Sequence, residues 1–145
     1  MYRKILLAYD GSTFCNVVLQ QGAELASLCG AELHLLGIVV TSGVMGIAES
    51  VAPGNVWGQE QQNLQQVVES AAQDLQNRGL TVISSLRYGD PAAEIAGYVH
   101  DIDADLVVLG HTSKGTLTRW FQGSVGVKLL DHLPCNLLVV TGRKL

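Results

Sequence analysis

The sequence carries little charge, few prolines and cysteines, and no long apolar run. Of its 145 residues 15% are charged, 3 are prolines and 3 are cysteines. Acidic residues outnumber basic ones by 13 to 9, so the chain lacks the basic excess of surfaces that bind nucleic acid or anionic membranes. Its apolar stretches, such as 33–40, are far shorter than the roughly 18 residues of a membrane span. We therefore expect a soluble protein whose main partner is neither a nucleic acid nor a membrane.

The N-terminus and the cysteines favour a cytoplasmic location. The first apolar stretch ends at Asp10, too early for the hydrophobic region of a secretory signal. Cys15 and Cys29 fall at opposite ends of one predicted helix, about 21 Å apart, whereas a disulfide allows about 7 Å. An odd number of cysteines fits a reducing compartment better than a disulfide framework, although an intermolecular bridge stays open.

Apolar runs alternate with helical patterns along the chain. Short apolar runs bounded by turn residues predict strands over 3–9, 33–40, 80–87, 104–109 and 136–141. Amphipathic spacing with start and stop signals predicts helices over 13–29, 59–78, 92–100 and 124–132. Residues 41–58, which contain several glycines and no clean period, are predicted to be a mobile connection. This order predicts one domain, 1–145, of the α/β class: an open, parallel five-stranded sheet with helices on both faces.

Two of the predicted strand ends carry the most distinctive chemistry. The first strand runs into Asp10, Gly11 and Ser12, and the fourth runs into Gly110 and a loop rich in hydroxyl groups and glycine. Ligands of parallel α/β sheets bind beyond the carboxyl ends of the strands, where the strand order reverses. A helix beginning at Ser124 would offer free amides and a positive dipole end to a phosphate. The alternatives are a simple turn with a helix cap at 10–12 and a purely structural crossover at 110–123.

These motifs resemble those of the universal stress protein family over essentially the whole chain. Residues 4–12, KILLAYDGS, resemble the family's first strand and its acidic end, and GDP at 89–91 with ADLVVLG at 104–110 resembles its middle. The family's nucleotide signature is Gly, two residues, Gly, nine residues, then Gly followed by Ser or Thr. This chain has Gly110, Ser113, Gly123 and Ser124 at those positions, so the spacing is intact but the second glycine is a serine.

The resemblance implies a Rossmann-like fold of the adenine nucleotide alpha hydrolase type and a site for ATP or AMP. Mg²⁺ would reach Asp10 only through a bound nucleotide. The implied contacts are Asp10 with the ribose and Ala8 beside it, Ile38 with adenine through its backbone, Gly110 under the ribose, and Ser113, Gly123, Ser124 and Val125 with phosphates. Serine at position 113 takes more room than glycine, and Gly115 restores some backbone freedom.

No catalytic constellation accompanies this site. The sequence has no Walker A pattern and no Gly-x-Ser-x-Gly elbow, and its four histidines share no metal-ligand spacing. Residues 101–105 imitate a calcium loop, but Leu106 and Thr112 stand where that loop needs glycine and glutamate.

Three functions therefore remain open. We expect a nucleotide-binding sensor or regulator of the stress response, with slow or no hydrolysis. The alternatives are a nucleotide-free homodimeric scaffold that acts through protein partners, and a weak ATPase. The resemblance places strand Asn136–Thr141 at a sheet edge, where it would pair with its copy in a homodimer.

Overall fold

The chain forms one parallel five-stranded sheet. The computed structural model describes residues 1–40, 55–111 and 129–141. The strands are β1 (Lys4–Ala8), β2 (Glu32–Val40), β3 (Val82–Gly89), β4 (Leu106–His111) and β5 (Asn136–Thr141), in the spatial order β3-β2-β1-β4-β5. The helices are α1 (Thr13–Cys29), α2 (Asn55–Asn77) and α3 (Pro91–Ile102), and residues 129–132 are also helical. All neighbouring strands are parallel, which confirms the predicted fold class.

The sheet separates two apolar cores. Alternate residues of β1 point to opposite faces, so Ile5 and Leu7 join one core while Leu6 and Ala8 join the other. The first core is closed by α1 and α2, and the second by α3 together with Leu129. Strands buried on both faces need apolar residues at nearly every position, which explains the continuous apolar runs of the sequence.

The predicted helix signals act as expected. Ser12 caps α1, because its hydroxyl accepts a hydrogen bond from the backbone N–H of Cys15 at 3.2 Å. Gly30 ends the same helix in the left-handed conformation, with φ of 65°. Asp90 caps α3 through the N–H of Ala93 at 3.1 Å, and Pro91 occupies the first turn.

β3 and β4 each begin two residues later than predicted, and both shifts have the same cause. The N–H of Leu80 bonds to the carbonyl of Leu75, and that of Ala104 bonds to the carbonyl of Val99. These amides finish the preceding helix and are not available to the sheet. β3 and β4 also end later than predicted, at Gly89 and His111. Residues 110 and 111 pair with Val140 and Thr141 of β5, so they belong to a strand and not to the predicted loop.

The helix after β2 begins earlier than predicted. Residues 55–58 were assigned to the mobile connection, but α2 begins at Asn55. Gly58, which the prediction treated as a breaker, lies inside the helix, where glycine costs only about 1 kcal/mol relative to alanine. The rest of that connection, 41–54, lies outside the described residues, as does the start of the helix predicted at 124–132.

The three cysteines are free in the structure. Cys15 is buried, and Cys29 and Cys135 are half-buried. Cys15 and Cys29 lie near opposite ends of α1, as predicted. Among the described helices, none combines the length and the apolar character that crossing a membrane would require.

The position of β2 between β1 and β3 predicts a contrast between two leucines. Leu35 is 0% exposed between β1 and β3, whereas Leu28 on α1 is 81% exposed. Leu35→Ala should lower the free energy of unfolding by roughly 2–5 kcal/mol, because it removes buried apolar area and leaves a cavity. Leu28→Ala should change it by less than about 0.5 kcal/mol in urea titrations. Equal effects would contradict this assignment of the core.

Candidate functional site

The strand order reverses between β1 and β4, and the two strand ends of interest meet there. β1 lies between β2 and β4, and the register pairs Leu7 with Val108. The residues that follow, Asp10 on one strand and Gly110 on the other, therefore lie at the same edge of the sheet. We call this edge, with the last residues of β2, the mouth of the sheet. It is the position at which open α/β sheets bind their ligands.

Asp10 forms a turn that starts α1. Its Oδ1 atom accepts a hydrogen bond from the N–H of Ser12 at 2.9 Å, and Gly11 between them has φ of 80°. Ser12 then caps the helix. The structural alternative raised for this segment, a turn with a helix cap, is thus present. Asp10 is half-buried. The hydrogen bond from Ser12 holds its carboxylate in place at the mouth.

Gly110 allows α1 to lie close against the end of β4. A Cβ atom at this position would stand 2.6 Å from Cγ2 of Val18 and 2.9 Å from Cε1 of Phe14. Both distances are shorter than any normal contact, so only a hydrogen fits between the strand and the helix. This packing role follows from the tertiary contact with α1, and the local sequence gave no sign of it.

Gly11 is the second close approach at the mouth. Its Cβ would lie 2.5 Å from Cγ1 of Val67 on α2, and its positive φ disfavours any side chain. Val67 therefore packs directly onto the turn that carries Asp10. Val67 falls within the amphipathic helix predicted over 59–78, but the local pattern gave no indication that it contacts this turn.

β2 extends past the end of β1 and presents backbone at the mouth. The last β1–β2 hydrogen bond joins the N–H of Tyr9 to the carbonyl of Leu36 at 2.9 Å. Backbone groups of a strand alternate in direction, so those of Ile38 point to the same side as those of Leu36. They lie beyond this last bond, at the mouth. The Ile38 side chain packs on the second core and pairs in register with Arg87.

Ala8 can offer only its backbone. Its side chain is 1% exposed and lies in the second core. The structure thus brings Ala8, Asp10, Ile38 and Gly110 to one edge of the sheet. The other predicted site residues, namely Ser113, Gly115, Gly123, Ser124 and Val125, lie outside the described residues.

The protonation of two groups beside Asp10 is shifted toward the neutral form. Burial, and then a hydrogen bond to the Asp10 side chain, raise the pKa of the Cys15 thiol to about 11. Burial also raises the pKa of Tyr9, with smaller contributions from Cys15, Asp10 and Asp74. The Tyr9 hydroxyl donates to Oδ1 of Asn16 at 2.5 Å. Both groups are therefore protonated at neutral pH and supply hydrogen bonds, not nucleophiles.

Other parts of the described structure offer less chemistry. In the described ranges, no three His, Cys, Asp or Glu side chains come close enough together to hold a metal ion. Two cavities lie along one groove beside α1. The first, of about 590 Å³, lies between α1 and the second half of α2 and reaches Tyr9 and Val67 beside the mouth. The second, of about 560 Å³, lies between the end of α1 and residues 78–81, away from the mouth. Arg78 crosses this groove and donates to Oε1 of Gln20 at 3.1 Å.

The fold and the mouth define a parallel α/β protein of the kind that binds ligands at a switch in strand order. The family model for the universal stress protein family matches residues 1–141, and the chain belongs to this family.

Individual relatives agree with this assignment. Universal stress protein Sll1388 of Synechocystis is 29% identical over 150 aligned positions, covering 96% of this chain and 97% of the relative.

Among solved structures, hypothetical protein MJ0577 has a TM-score of 0.78 at 22% identity and covers 100% of this chain and 99% of its own. A universal stress protein from Archaeoglobus fulgidus, solved in complex with dAMP, has a TM-score of 0.67 at 19% identity, covering 96% and 98%. Another, solved in complex with cAMP, has a TM-score of 0.64 at 16% identity, covering 96% of both chains. At these identities, the likeness concerns the fold.

Two glycines allow the packing at the mouth to be tested. Gly110→Ala should destabilise the protein by about 1–3 kcal/mol, because the added methyl overlaps Phe14 and Val18. Gly97→Ala on α3 is the matched control, since nothing lies within 4 Å of the added methyl. It should stabilise the helix by up to about 1 kcal/mol. Urea titration distinguishes them, and a neutral Gly110→Ala would contradict the close approach of α1.

The raised pKa of Cys15 predicts a protected thiol. With a pKa of about 11, about one molecule in a thousand carries the thiolate at pH 8, and the side chain is buried as well. Iodoacetamide should leave Cys15 unmodified in the native protein and modify it fully in guanidinium, as read by peptide mass spectrometry. Equal rates in both states would show that the thiol is not enclosed beside Asp10.

Proposed function

We propose that this chain is a single-domain, cytoplasmic regulator of the stress response that binds ATP or AMP at the mouth of the sheet. The observation that carries this proposal is the meeting of Asp10, Gly110 and the extended end of β2 at one edge. Membership of the universal stress protein family supports it. So do the two related structures solved with the adenine nucleotides cAMP and dAMP.

Each described residue has a chemical task in this proposal. The backbone of Ile38 hydrogen-bonds the edge of adenine, since its groups point past the end of β1. Asp10, held by Ser12, accepts hydrogen bonds from the ribose hydroxyls, which a charged carboxylate does well. Gly110 lies under the ribose, as the family resemblance implies. The phosphates then extend toward 113–125, where the resemblance puts their ligands.

The chemistry proposed here is binding, with slow or no hydrolysis. Phosphoryl transfer needs a positioned nucleophile and a neutralised transition state. Cys15 and Tyr9, the titratable neighbours of Asp10 with raised pKa values, keep their protons at neutral pH. Mg²⁺, if it accompanies a bound triphosphate, would neutralise phosphate charge, and Asp10 is the described carboxylate that could face it.

A homodimer through β5 is a second proposal, carried by the place of that strand. β5 forms one edge of the sheet and pairs with β4. Leu138 on this strand is 39% exposed. An exposed apolar edge strand favours pairing with another chain, and a second copy provides a matching strand. Such a dimer is compatible with nucleotide binding and with a scaffold that acts through protein partners.

The first experiment is to identify a bound molecule. Protein purified without added nucleotide is treated with acid, and the released compounds are separated and identified by mass spectrometry. A stoichiometric adenine nucleotide, or binding of ATP or AMP in calorimetric titration, supports the proposal. An empty protein that ignores millimolar ATP and AMP contradicts it and favours the scaffold.

Asp10 is the residue whose change should weaken this binding. Asp10→Asn keeps an oxygen for the turn to Ser12 but removes the charge, so nucleotide affinity should fall roughly 10- to 100-fold, the usual effect of losing a charged hydrogen bond. Asp103→Asn, an equal charge change at the opposite end of the sheet, is the control and should leave affinity unchanged. Equal affinities for all three proteins would show that Asp10 does not contact the ligand.

Gly123→Val tests the predicted phosphate loop in the same way.

The dimer is tested at the two edges of the sheet. Leu138→Arg should convert the dimer to a monomer in size exclusion with light scattering, because it places a charge in the paired edge. Ile83→Arg on β3, the opposite edge, is the matched control, since Ile83 is similarly exposed. A wild-type protein that is monomeric at micromolar concentration would exclude this assembly.

A further inference from the structure

His34 is a buried polar residue that the proposed nucleotide site does not use. It lies on β2, facing α3, and is 4% exposed. Among the residues that the structure describes, no other side chain classed as polar or charged is buried. A buried imidazole needs hydrogen-bond partners for both ring nitrogens.

Both nitrogens have partners. Nε2 lies 2.6 Å from Oε1 of Glu32, and Nδ1 lies 2.9 Å from the hydroxyl of Tyr98. That hydroxyl lies 2.9 Å from Oγ of Ser85 on β3. The result is a chain of four groups, Glu32–His34–Tyr98–Ser85, which joins two strands to α3. We call it the imidazole chain.

The chemistry of the groups fixes the hydrogens when His34 is neutral. An ionised carboxylate can only accept, so Nε2 carries the proton and donates to Glu32. Nδ1 then accepts from the Tyr98 hydroxyl. The Tyr98 oxygen in turn accepts from Ser85. Every polar group in the chain is satisfied.

The same chain is satisfied when His34 is protonated. One proton from solvent adds to Nδ1, which becomes a donor to the Tyr98 oxygen. Tyr98 rotates its hydroxyl hydrogen toward Oγ of Ser85, which becomes the acceptor. No heavy atom has to move, since each hydroxyl group can act as a donor or as an acceptor.

The charges around the chain also accommodate the proton. Glu32, in contact with Nε2, forms an ion pair with the imidazolium, and its register neighbour on β1 is Lys4. On β3, the Arg87 guanidinium lies 4.9 Å from the centre of the Tyr98 ring. Its charge is balanced by Asp101 of α3 at 2.9 Å. The positive charge on His34 is thus in contact with the Glu32 carboxylate. The cation over the Tyr98 ring, Arg87, is already paired with Asp101.

We propose that His34 binds a proton within the folded protein and that the Tyr98–Ser85 hydroxyls are the device that accommodates it. A buried histidine that must stay neutral destabilises a protein in mild acid, because the unfolded chain takes up a proton and the native chain does not. The imidazole chain removes this penalty, so acidification does not loosen the contact between β2, β3 and α3.

Tyr98→Phe tests the device, with Tyr88→Phe as its matched control. In Tyr98→Phe, a protonated Nδ1 would be a buried charged donor without an acceptor, so the native state resists protonation. An unfolded histidine titrates near pH 6.5, so the unfolding constant of this variant should rise about tenfold more than that of wild type from pH 7.5 to 5.5. Tyr88, exposed on the other face of β3, should show no such excess.

Two further measurements test whether His34 is the group that takes up the proton. In a His34→Gln background, Tyr98→Phe should lose its excess pH dependence, because no imidazole remains to titrate. If Tyr98→Phe does not fold, ¹⁵N NMR of the wild-type imidazole should show both nitrogens protonated at pH 5.5 in folded protein. An imidazole that stays neutral until acid unfolding, or equal pH dependence of Tyr98→Phe and wild type, would overturn the proposal.

Discussion

The close approach of α1 to the end of β4 is the constraint on which the mouth of the sheet depends. Gly110 leaves only a hydrogen between the strand and the side chains of Phe14 and Val18. The helix can therefore begin directly beside β4, and the N–H of its N-cap residue, Ser12, holds Asp10 at the same edge. A side chain at position 110 would displace the start of α1 and with it the carboxylate. Gly110, which the family resemblance puts under the ribose, is thus also required for the packing of α1 on β4.

The mouth combines three kinds of backbone geometry. A left-handed glycine turns the chain after β1, a helix cap fixes the following turn, and β2 extends past its neighbour. Val67 on α2 closes the turn from above by packing onto Gly11. Each feature has a structural role in this domain, and together they leave one carboxylate and one strand edge at the mouth. A ligand at the mouth would contact groups that the fold already holds in place, namely the Asp10 carboxylate and the backbone at the end of β2.

Local patterns predicted the element order and the helix ends, because the signals at Ser12, Gly30 and Pro91 act over a few residues. The strand starts were misplaced, since the amides of Leu80 and Ala104 close helices, and apolar composition does not distinguish that use from a strand. The contacts of Gly110 and Val67 join residues distant in sequence. So does the imidazole chain, in which Tyr98 lies 64 positions from His34. Sequence alone therefore predicted that the ends of β1 and β4 share one edge of the sheet, but not which neighbours position them.

The most direct test of the account is to locate the binding of ATP and AMP by amide chemical-shift mapping on ¹⁵N-labelled protein. The account predicts saturable shifts at residues 8–12, 38–40 and 110–111, with the amino ends of the strands unchanged. Shifts confined to the groove between α1 and α2, around Gln20 and Arg78, would place the ligand elsewhere. An unchanged spectrum at millimolar nucleotide would contradict nucleotide binding itself.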